Sequence, residues 1–394
     1  MKSPFAKRMQ CVTSPIRELV ATANALEKNG KKVLYANTGD PLRYDFDPPS
    51  SVINGLIKAV KHRHNYYENS QGGLDCRQAI SSREKRINKI NVNPNNIIIT
   101  DGVSEALSFL TSILIDSKSE ALLPGPSYPP YITRIEFFGG KCRFYKTVEE
   151  NGWQPSIEDI EKNITDKTKF LLVINPNNPT GAVYDKKTLK EIINLAGQYK
   201  LTLVSDEIYD LLTFDAPLVS MSSLAKEIPL IVFNGFSKSM LITGWRLGYC
   251  YFMNMDEKHK KIKDYMIKLA QQRLSANTPS QKAVIEGLKS DSHIKSVNKK
   301  LKTRAQLSYK RLNEIPGISC VKPKGAFYAF PKIDLEKKWK TDKEFVIDFL
   351  NKQHVLLVPG SGFGKYGEGH VRIVILPQEN YLNEIYDRLE KFMK

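Results

Sequence analysis

Residues 234–248 read NGFSKSMLITGWRLG: an apolar run ends in Lys238 between two serines, and Arg246 follows in a glycine-flanked tryptophan loop. Two cations at the end of a buried segment need either solvent or a ligand. They are not isolated. Asp101-Gly102-Val103-Ser104, Pro124-Gly125-Pro126-Ser127-Tyr128, Asn175 to Gly181 and Asp206 to Tyr209 each follow an apolar run in the same way. Taken singly, each has an ordinary structural reading. Gly102 could be a turn, Asn178-Pro179-Thr180-Gly181 a β-turn, Asp206 a helix cap and Lys238 an amine that snorkels to solvent. Taken together they put a carboxylate, an amide, two phenols, a lysine and a glycine-opened helix start on one rim. In an open α/β sheet, ligands bind beyond the carboxyl ends of the strands, which is where this rim falls.

The elements that must hold the rim alternate along the chain. NNIIITDG leads into VSEALSFLTSILID, and TKFLLVINPNNPTG leads to a helix in which Leu189, Ile192, Ile193 and Ala196 recur at i, i+3, i+4 and i+7. LTLVSDEIYD and LIVFNGFSK follow. Strands that are apolar throughout and separated by helices predict a sheet covered on both faces, a mainly parallel α/β core. The ends read differently. Residues 16–29 predict one amphipathic helix closed by Gly30. Beyond residue 285 come a long helix, GISCVKPKGAFYAFPKI, a helix near 342–352, HVLLVPG, HVRIVIL and a last helix from about 379, an α+β arrangement. The expected division is a large α/β domain over 46–285 and a smaller domain from both termini, 1–45 and 286–394.

Composition excludes several classes. With 41% hydrophobic and 10% aromatic residues among 394, the chain reads as folded and globular. The charge balance, 59 − 42 = +17, raises nucleic acid as a partner. The lysines, however, are scattered through helical segments such as DEKHKKIKDYMIKLAQQR and SVNKKLKTRAQLSYKR, with no RNA-binding aromatic signature and no zinc-finger spacing. A solvated basic surface without a nucleic-acid partner is the expectation. Cys11, Cys76, Cys142, Cys250 and Cys320 include no C-x-x-C pair and read as reduced thiols. His62 and His64 share no helix face, so no metal site is expected there. Residues 1–15 lack a continuous apolar core and no segment approaches the roughly 20 apolar residues of a span, so a cytoplasmic protein with no membrane partner is expected.

NPNNPTG, SDEIYD, SK followed by GWRLG, PGPSYPPY and GHVRIV occur in the order and approximate spacing of the class I aminotransferases, the fold type I enzymes that use pyridoxal 5'-phosphate. The resemblance runs from LYANTGDP near residue 34 to the last helix. Within the class the chain is most similar to prokaryotic alanine aminotransferases, through NTGDPLRYDFDPP, HNYYENSQGG, PGPSYPPY and VPGSGFG.

The resemblance implies a role for each rim residue. Lys238 would hold the cofactor covalently and then move the substrate α-proton, which needs an amine that is sometimes neutral; burial or nearby cations shift a lysine that way. Arg246 would grip the cofactor phosphate, with Ser237 and the amides of Val103 and Ser104 completing the cup at a helix start. Asp206 would keep the pyridine nitrogen protonated. Tyr209 and Asn178 would bond the ring's phenolic oxygen, and Tyr128 would stack on the ring. Arg372 would bind the substrate α-carboxylate, with Asn178 and the backbone of Gly39 beside it. Tyr67, with Tyr66 the adjacent alternative, would reach the phosphate of a neighbouring subunit in a homodimer.

The implied reaction is a ping-pong transamination between an amino acid and a 2-oxo acid, with glutamate and 2-oxoglutarate as the usual second pair. Aspartate aminotransferases that hold the distal carboxylate with a lysine carry it in the helix start matching Gly102 to Ala106, where this chain has Ser104. A second carboxylate would lack that partner. Alanine is therefore the expected donor, with aspartate the alternative should another lysine or arginine replace the missing one, and aromatic or branched amino acids as further alternatives. Two other classes share the fold. A cofactor-dependent lyase would release pyruvate from a sulfur amino acid without an acceptor. A cofactor-binding transcription regulator would carry an added helix-turn-helix domain, and only about 15 residues precede the first helix expected here.

Overall fold

The computed structural model describes residues 5–335 and 338–394. The strand and helix alternation folds into an eight-stranded sheet made of β1 (Ile97–Thr100), β2 (Glu120–Gly125), β3 (Lys141–Val148), β4 (Gln154–Pro155), β5 (Thr168–Ile174), β6 (Thr202–Asp206), β7 (Leu230–Gly235) and β8 (Gly248–Met253). Their spatial order is β1-β8-β7-β6-β5-β2-β3-β4. From β7 across to β3 the neighbours run parallel. β8 lies antiparallel between β1 and β7, and β4 closes the other edge antiparallel to β3.

Both faces of the sheet are buried, which is why its strands are continuous apolar runs. Leu171 and Val173 of β5 join Leu203, Leu230 and Val232 on one face. Phe170, Leu172 and Ile174 join Val204, Ile231 and Phe233 on the other. Each such side chain contributes about 1.5–3 kcal/mol when fully buried. The register they set pairs Ile174 with Asp206, and Asp206 with Phe233. β5 and β6 therefore finish level at one rim, and β7 runs on from Phe233 to Gly235.

At the neighbouring strand end Gly102, with φ 75°, turns the chain from β1 into helix Val103–Leu114. A Cβ on Gly102 would lie 2.6 Å from Arg246 Nη2, and one on Gly248 would lie 2.9 Å from Gly102 Cα. Only glycine allows both the turn and this approach.

The C-terminal part builds a three-stranded antiparallel sheet from β9 (Tyr328–Ala329), β10 (Val358–Pro359) and β11 (Val371–Val374), in the order β9-β11-β10. Helices Ser292–Glu314, Asp342–Gln353 and Glu379–Met393 pack on a third core containing Leu301, Phe349, Leu382 and Leu389, to which Leu34 and Tyr209 also belong. Leu34–Tyr35 pairs in parallel with Val355–Leu356.

The first α-helix starts later than its periodicity predicts, at Val20, and runs to Lys28; Gly30, with φ 75°, follows its end. Residues 15–19 form hydrogen-bonded turns that lead into the helix. The Ile16 carbonyl accepts from Asn37 Nδ2 (2.9 Å) while the Val20 N–H bonds the Arg17 carbonyl (3.1 Å), so a tertiary bond overrides local periodicity there. No helix among the described residues is long and apolar enough to cross a membrane.

Candidate active site

A cavity of about 970 Å³ opens over these strand ends. It is lined by Gly39, Val103, Ser104, Tyr128, Asn178, Asp206, Tyr209, Ser237, Lys238, Arg246 and Arg372, so all but one of the residues singled out in the sequence meet in one place. The exception is Tyr67, which is 79% exposed and lies outside the cavity.

Lys238 sits in the single helical turn Phe236–Ser239 directly after β7. It does not snorkel outward. Its Nζ donates to the Gly39 carbonyl (2.8 Å) and lies 5.1 Å from the centre of the Phe327 ring. Burial is the main reason its pKa falls to about 8, assisted by Arg246 and Arg372 and opposed by Asp40. The amine is thus part neutral near physiological pH.

Arg372, on the central strand of the small sheet, is 1% exposed. It donates from Nη1 to Asn178 Oδ1 (3.0 Å) and from Nη2 to the Asn37 carbonyl (2.5 Å), and its guanidinium lies over the rings of Tyr328 (4.5 Å) and Phe363 (5.0 Å). Its Nε has no hydrogen-bond partner among the described residues. Gly39, expected beside it, lines the same cavity; the Gly39 carbonyl accepts from Lys238, and the backbone partner of Arg372 is Asn37.

Asp206 is the last residue of β6, so it caps no helix. Its carboxylate accepts from Tyr131 O–H (2.7 Å) and the Ile208 N–H (3.1 Å). Burial lifts its pKa to about 6 even against those bonds. Tyr209 and Tyr328 share a hydrogen bond between hydroxyls (2.8 Å). Tyr128 packs edge-on to Tyr131, with centroids 6.4 Å apart. Val103 and Ser104, at the N-terminus of helix Val103–Leu114, line the cavity together with Ser237 and Arg246. Arg246 itself adopts a left-handed backbone (φ 54°) and donates from Nη1 to the Thr243 carbonyl (2.9 Å). Free amides, a helix dipole and a guanidinium at one spot make an anion site.

The family described as aminotransferase class I and II matches residues 38–389. The chain belongs to the class I and II aminotransferase family. It is 36% identical to the glutamate-pyruvate aminotransferase AlaA of Escherichia coli, over 100% of this chain and 98% of that one. It is 34% identical to the alanine aminotransferase of Mycobacterium tuberculosis, over 94% and 88%. Among solved structures, the alanine aminotransferase from Pyrococcus furiosus superposes with a TM-score of 0.96 at 51% identity, covering 99% of each chain.

Sequence reading missed several residues of the aminotransferase site. Tyr131, Phe327, Tyr328 and Asp40 touch site residues, and Arg17 and Arg134 line the cavity. Only Tyr131 carried a usable signal: it lies three residues after Tyr128, on the same face of a helix start.

Proposed function

We propose that this aminotransferase exchanges an amino group between L-alanine and 2-oxoglutarate, giving pyruvate and glutamate, with pyridoxal 5'-phosphate carried on Lys238. The observation behind it is the Lys238 amine, held by a neutral carbonyl between Arg246 and Arg372 in the cavity that also contains Asp206. The names of the relatives favour alanine and glutamate-pyruvate exchange.

The residues present fit the cofactor. Asp206 is a buried carboxylate bonded only to neutral donors, which suits a protonated ring nitrogen. The Arg246 guanidinium, packed closely against Gly102 beside the helix start of Val103 and Ser104, suits a phosphate. When bound, the cofactor supplies a carbonyl carbon that an amine can attack and a ring that accepts electrons. In this reading Val103, Ser104, Ser237 and Arg246 hold the phosphate, Asp206 the ring nitrogen, Asn178 and Tyr209 the phenolic oxygen, and Tyr128 the ring face.

Arg372 binds the substrate α-carboxylate and, fixed by Asn178 and Asn37, aims the α-carbon at Lys238. Lys238 Nζ takes the α-proton while neutral and returns it while charged, which a pKa near 8 permits at physiological pH. The alanine methyl needs no polar partner, in keeping with Ser104 at the helix start. Arg17 and Arg134 at the cavity wall are cations that can meet the distal carboxylate of glutamate or 2-oxoglutarate; they would serve aspartate in the same way, so a panel of donors is what separates alanine from aspartate.

The domain division proposed is 46–285 for the cofactor and 1–45 with 286–394 for Arg372. A homodimer is proposed because Ile53, Ile57 and Val60 form an exposed apolar stripe, and Tyr66, Tyr67 and Leu74 are exposed as well. In that assembly Tyr67 reaches the partner's phosphate corner. The cytosol suits its substrates.

A panel of amino donors against 2-oxoglutarate, read as kcat/KM, tests the substrate. Alanine should lead. Aspartate or an aromatic amino acid in its place would overturn the alanine reading, and pyruvate release from cysteine without an acceptor would favour a lyase.

A further inference from the structure

The tetrapeptide Asn37-Thr38-Gly39-Asp40 bonds two cations of the site directly and a third through Thr243. The Asn37 carbonyl accepts from Arg372 Nη2 (2.5 Å). The Gly39 carbonyl accepts from Lys238 Nζ (2.8 Å). The Asp40 carboxylate accepts from Thr243 Oγ1 (2.8 Å), and the Thr243 carbonyl in turn accepts from Arg246 Nη1 (2.9 Å). The tetrapeptide has little freedom to drift: a Cβ on Gly39 would lie 2.4 Å from Tyr328 Oη. Asn37 is buried and donates from Nδ2 to the Ile16 carbonyl (2.9 Å).

We propose that Asp40 is a positioning residue: by holding Thr243 it locks the loop of Arg246 to the segment that holds Lys238 and Arg372, and its carboxylate is the counter-charge that faces the lysine. The first part stands on the bonded chain from Asp40 through Thr243 to Arg246. The second stands on place and charge. Asp40 lines the same cavity as Lys238, whose other charged neighbours there, Arg246 on the following loop and Arg372 on β11, are cations. Tyr128, Tyr209 and Tyr328 face the same space as neutral phenols, and Asp206 lies on its β6 side. Asp40 also has Arg43 at 3.6 Å on its outer side, a solvent-exposed partner of small effect. Asp40 opposes the fall that burial, Arg246 and Arg372 impose on Lys238. The inference rests on the cofactor reading above.

Two variants separate the parts. Asp40→Asn keeps an oxygen that Thr243 can bond but removes the charge. Thr243→Val keeps the charge but removes the bond, and Thr243→Ser restores the hydroxyl. In the full chain without cofactor, the rate at which Lys238 reacts with an amine-reactive ester is followed against pH by peptide mass spectrometry. Asp40→Asn should lower the midpoint by roughly half a pH unit or more, with Thr243→Val unchanged. The dissociation constant of pyridoxal 5'-phosphate, measured by fluorescence titration, should rise about tenfold in Thr243→Val, the loss of one charge-assisted bond, and recover in Thr243→Ser. A merely structural Asp40 would change thermal stability and leave the Lys238 midpoint in place. An unmoved midpoint in Asp40→Asn, or wild-type cofactor affinity in Thr243→Val, overturns the proposal. Should Asp40→Asn not fold, the Thr243 pair decides it alone. Wild-type chain reduced with borohydride after loading reports the cofactor reading independently: an adduct on Lys238 with unmoved variants sinks only the role of Asp40.

Discussion

Two arginines, Arg83 and Arg372, are almost equally buried, at 3% and 1% exposure, yet their surroundings are opposite. Arg83, in helix Leu74–Asn88, meets Glu84 Oε1 at 2.7 Å and Asp210 Oδ2 at 2.5 Å. Tyr249 joins Glu84 (2.8 Å), Asn88 bonds Glu84 (2.6 Å) and Asn234 bonds Asp210 (2.9 Å). Burial pulls the Arg83 pKa down, but Asp210, Tyr249 and Glu84 outweigh it and hold it well above the ordinary value. Around Arg372 the bonded partners are a carbonyl and an amide, both neutral, and burial leaves its pKa lowered. In the first region the arginine is bonded to carboxylates. In the second, Arg372 and Asp206 are bonded only to neutral groups, an arrangement costly to folding alone and suited to a charged ligand. Alternate residues of one segment serve the two regions: Asp206 and Tyr209 face the cavity, whereas Glu207 and Asp210 face the paired network, where Ser220 (2.7 Å) and Ser205 (2.9 Å) bond Glu207.

The contrast breaks first at Lys238. Lys238→Ala should lower kcat by on the order of 10⁴-fold or more, with thermal stability kept, because a half-buried amine bonded to one carbonyl has been removed rather than an ion pair broken. Asp206→Ala should still bind cofactor but lose on the order of 10²–10⁴ in turnover, read by stopped-flow absorbance. Arg83→Met should do the reverse, costing about 3–5 kcal/mol in urea unfolding because Glu84 and Asp210 stay buried without their cation.

A smaller effect sharpens the comparison through pH. The Asp206 pKa is raised to about 6 by burial, so the folded chain binds a proton that the unfolded chain has released between the unfolded value near 4 and about 6. Stability of the cofactor-free chain from this group therefore falls as pH rises across that window. Asp206→Asn should remove the fall and raise stability at pH 8 by about 1–3 kcal/mol, while abolishing most turnover. Lys238 acts with the opposite slope: its pKa is lowered to about 8, so its cost is relieved as pH climbs from about 8 toward the unfolded value.

Much of the rim could be read from the sequence because its members sit at consecutive strand ends, each directly after an apolar run. Asp206, Asn178 and Lys238 needed no long-range knowledge to be noticed. What escaped was set by pairings across the chain. Asp40 meets Thr243 and Tyr209 meets Tyr328 only after folding, and no local pattern marks such partners. The later start of the first helix has the same cause, since Asn37 Nδ2 takes the Ile16 carbonyl and the Val20 N–H bonds the Arg17 carbonyl instead. The antiparallel insertion of β8, GYCYFM, between β1 and β7 rests on pairings along its whole length with strands far apart in the chain, which its own composition does not mark.

The central claim is that Lys238 is the amine around which this arrangement is built. Loading the protein with pyridoxal 5'-phosphate, reducing it with borohydride and mapping the product by peptide mass spectrometry tests that directly. The account predicts a single modified lysine, Lys238, with the modification lost in Lys238→Ala. A reduced adduct on any other lysine, with Lys238 unmodified, would contradict it.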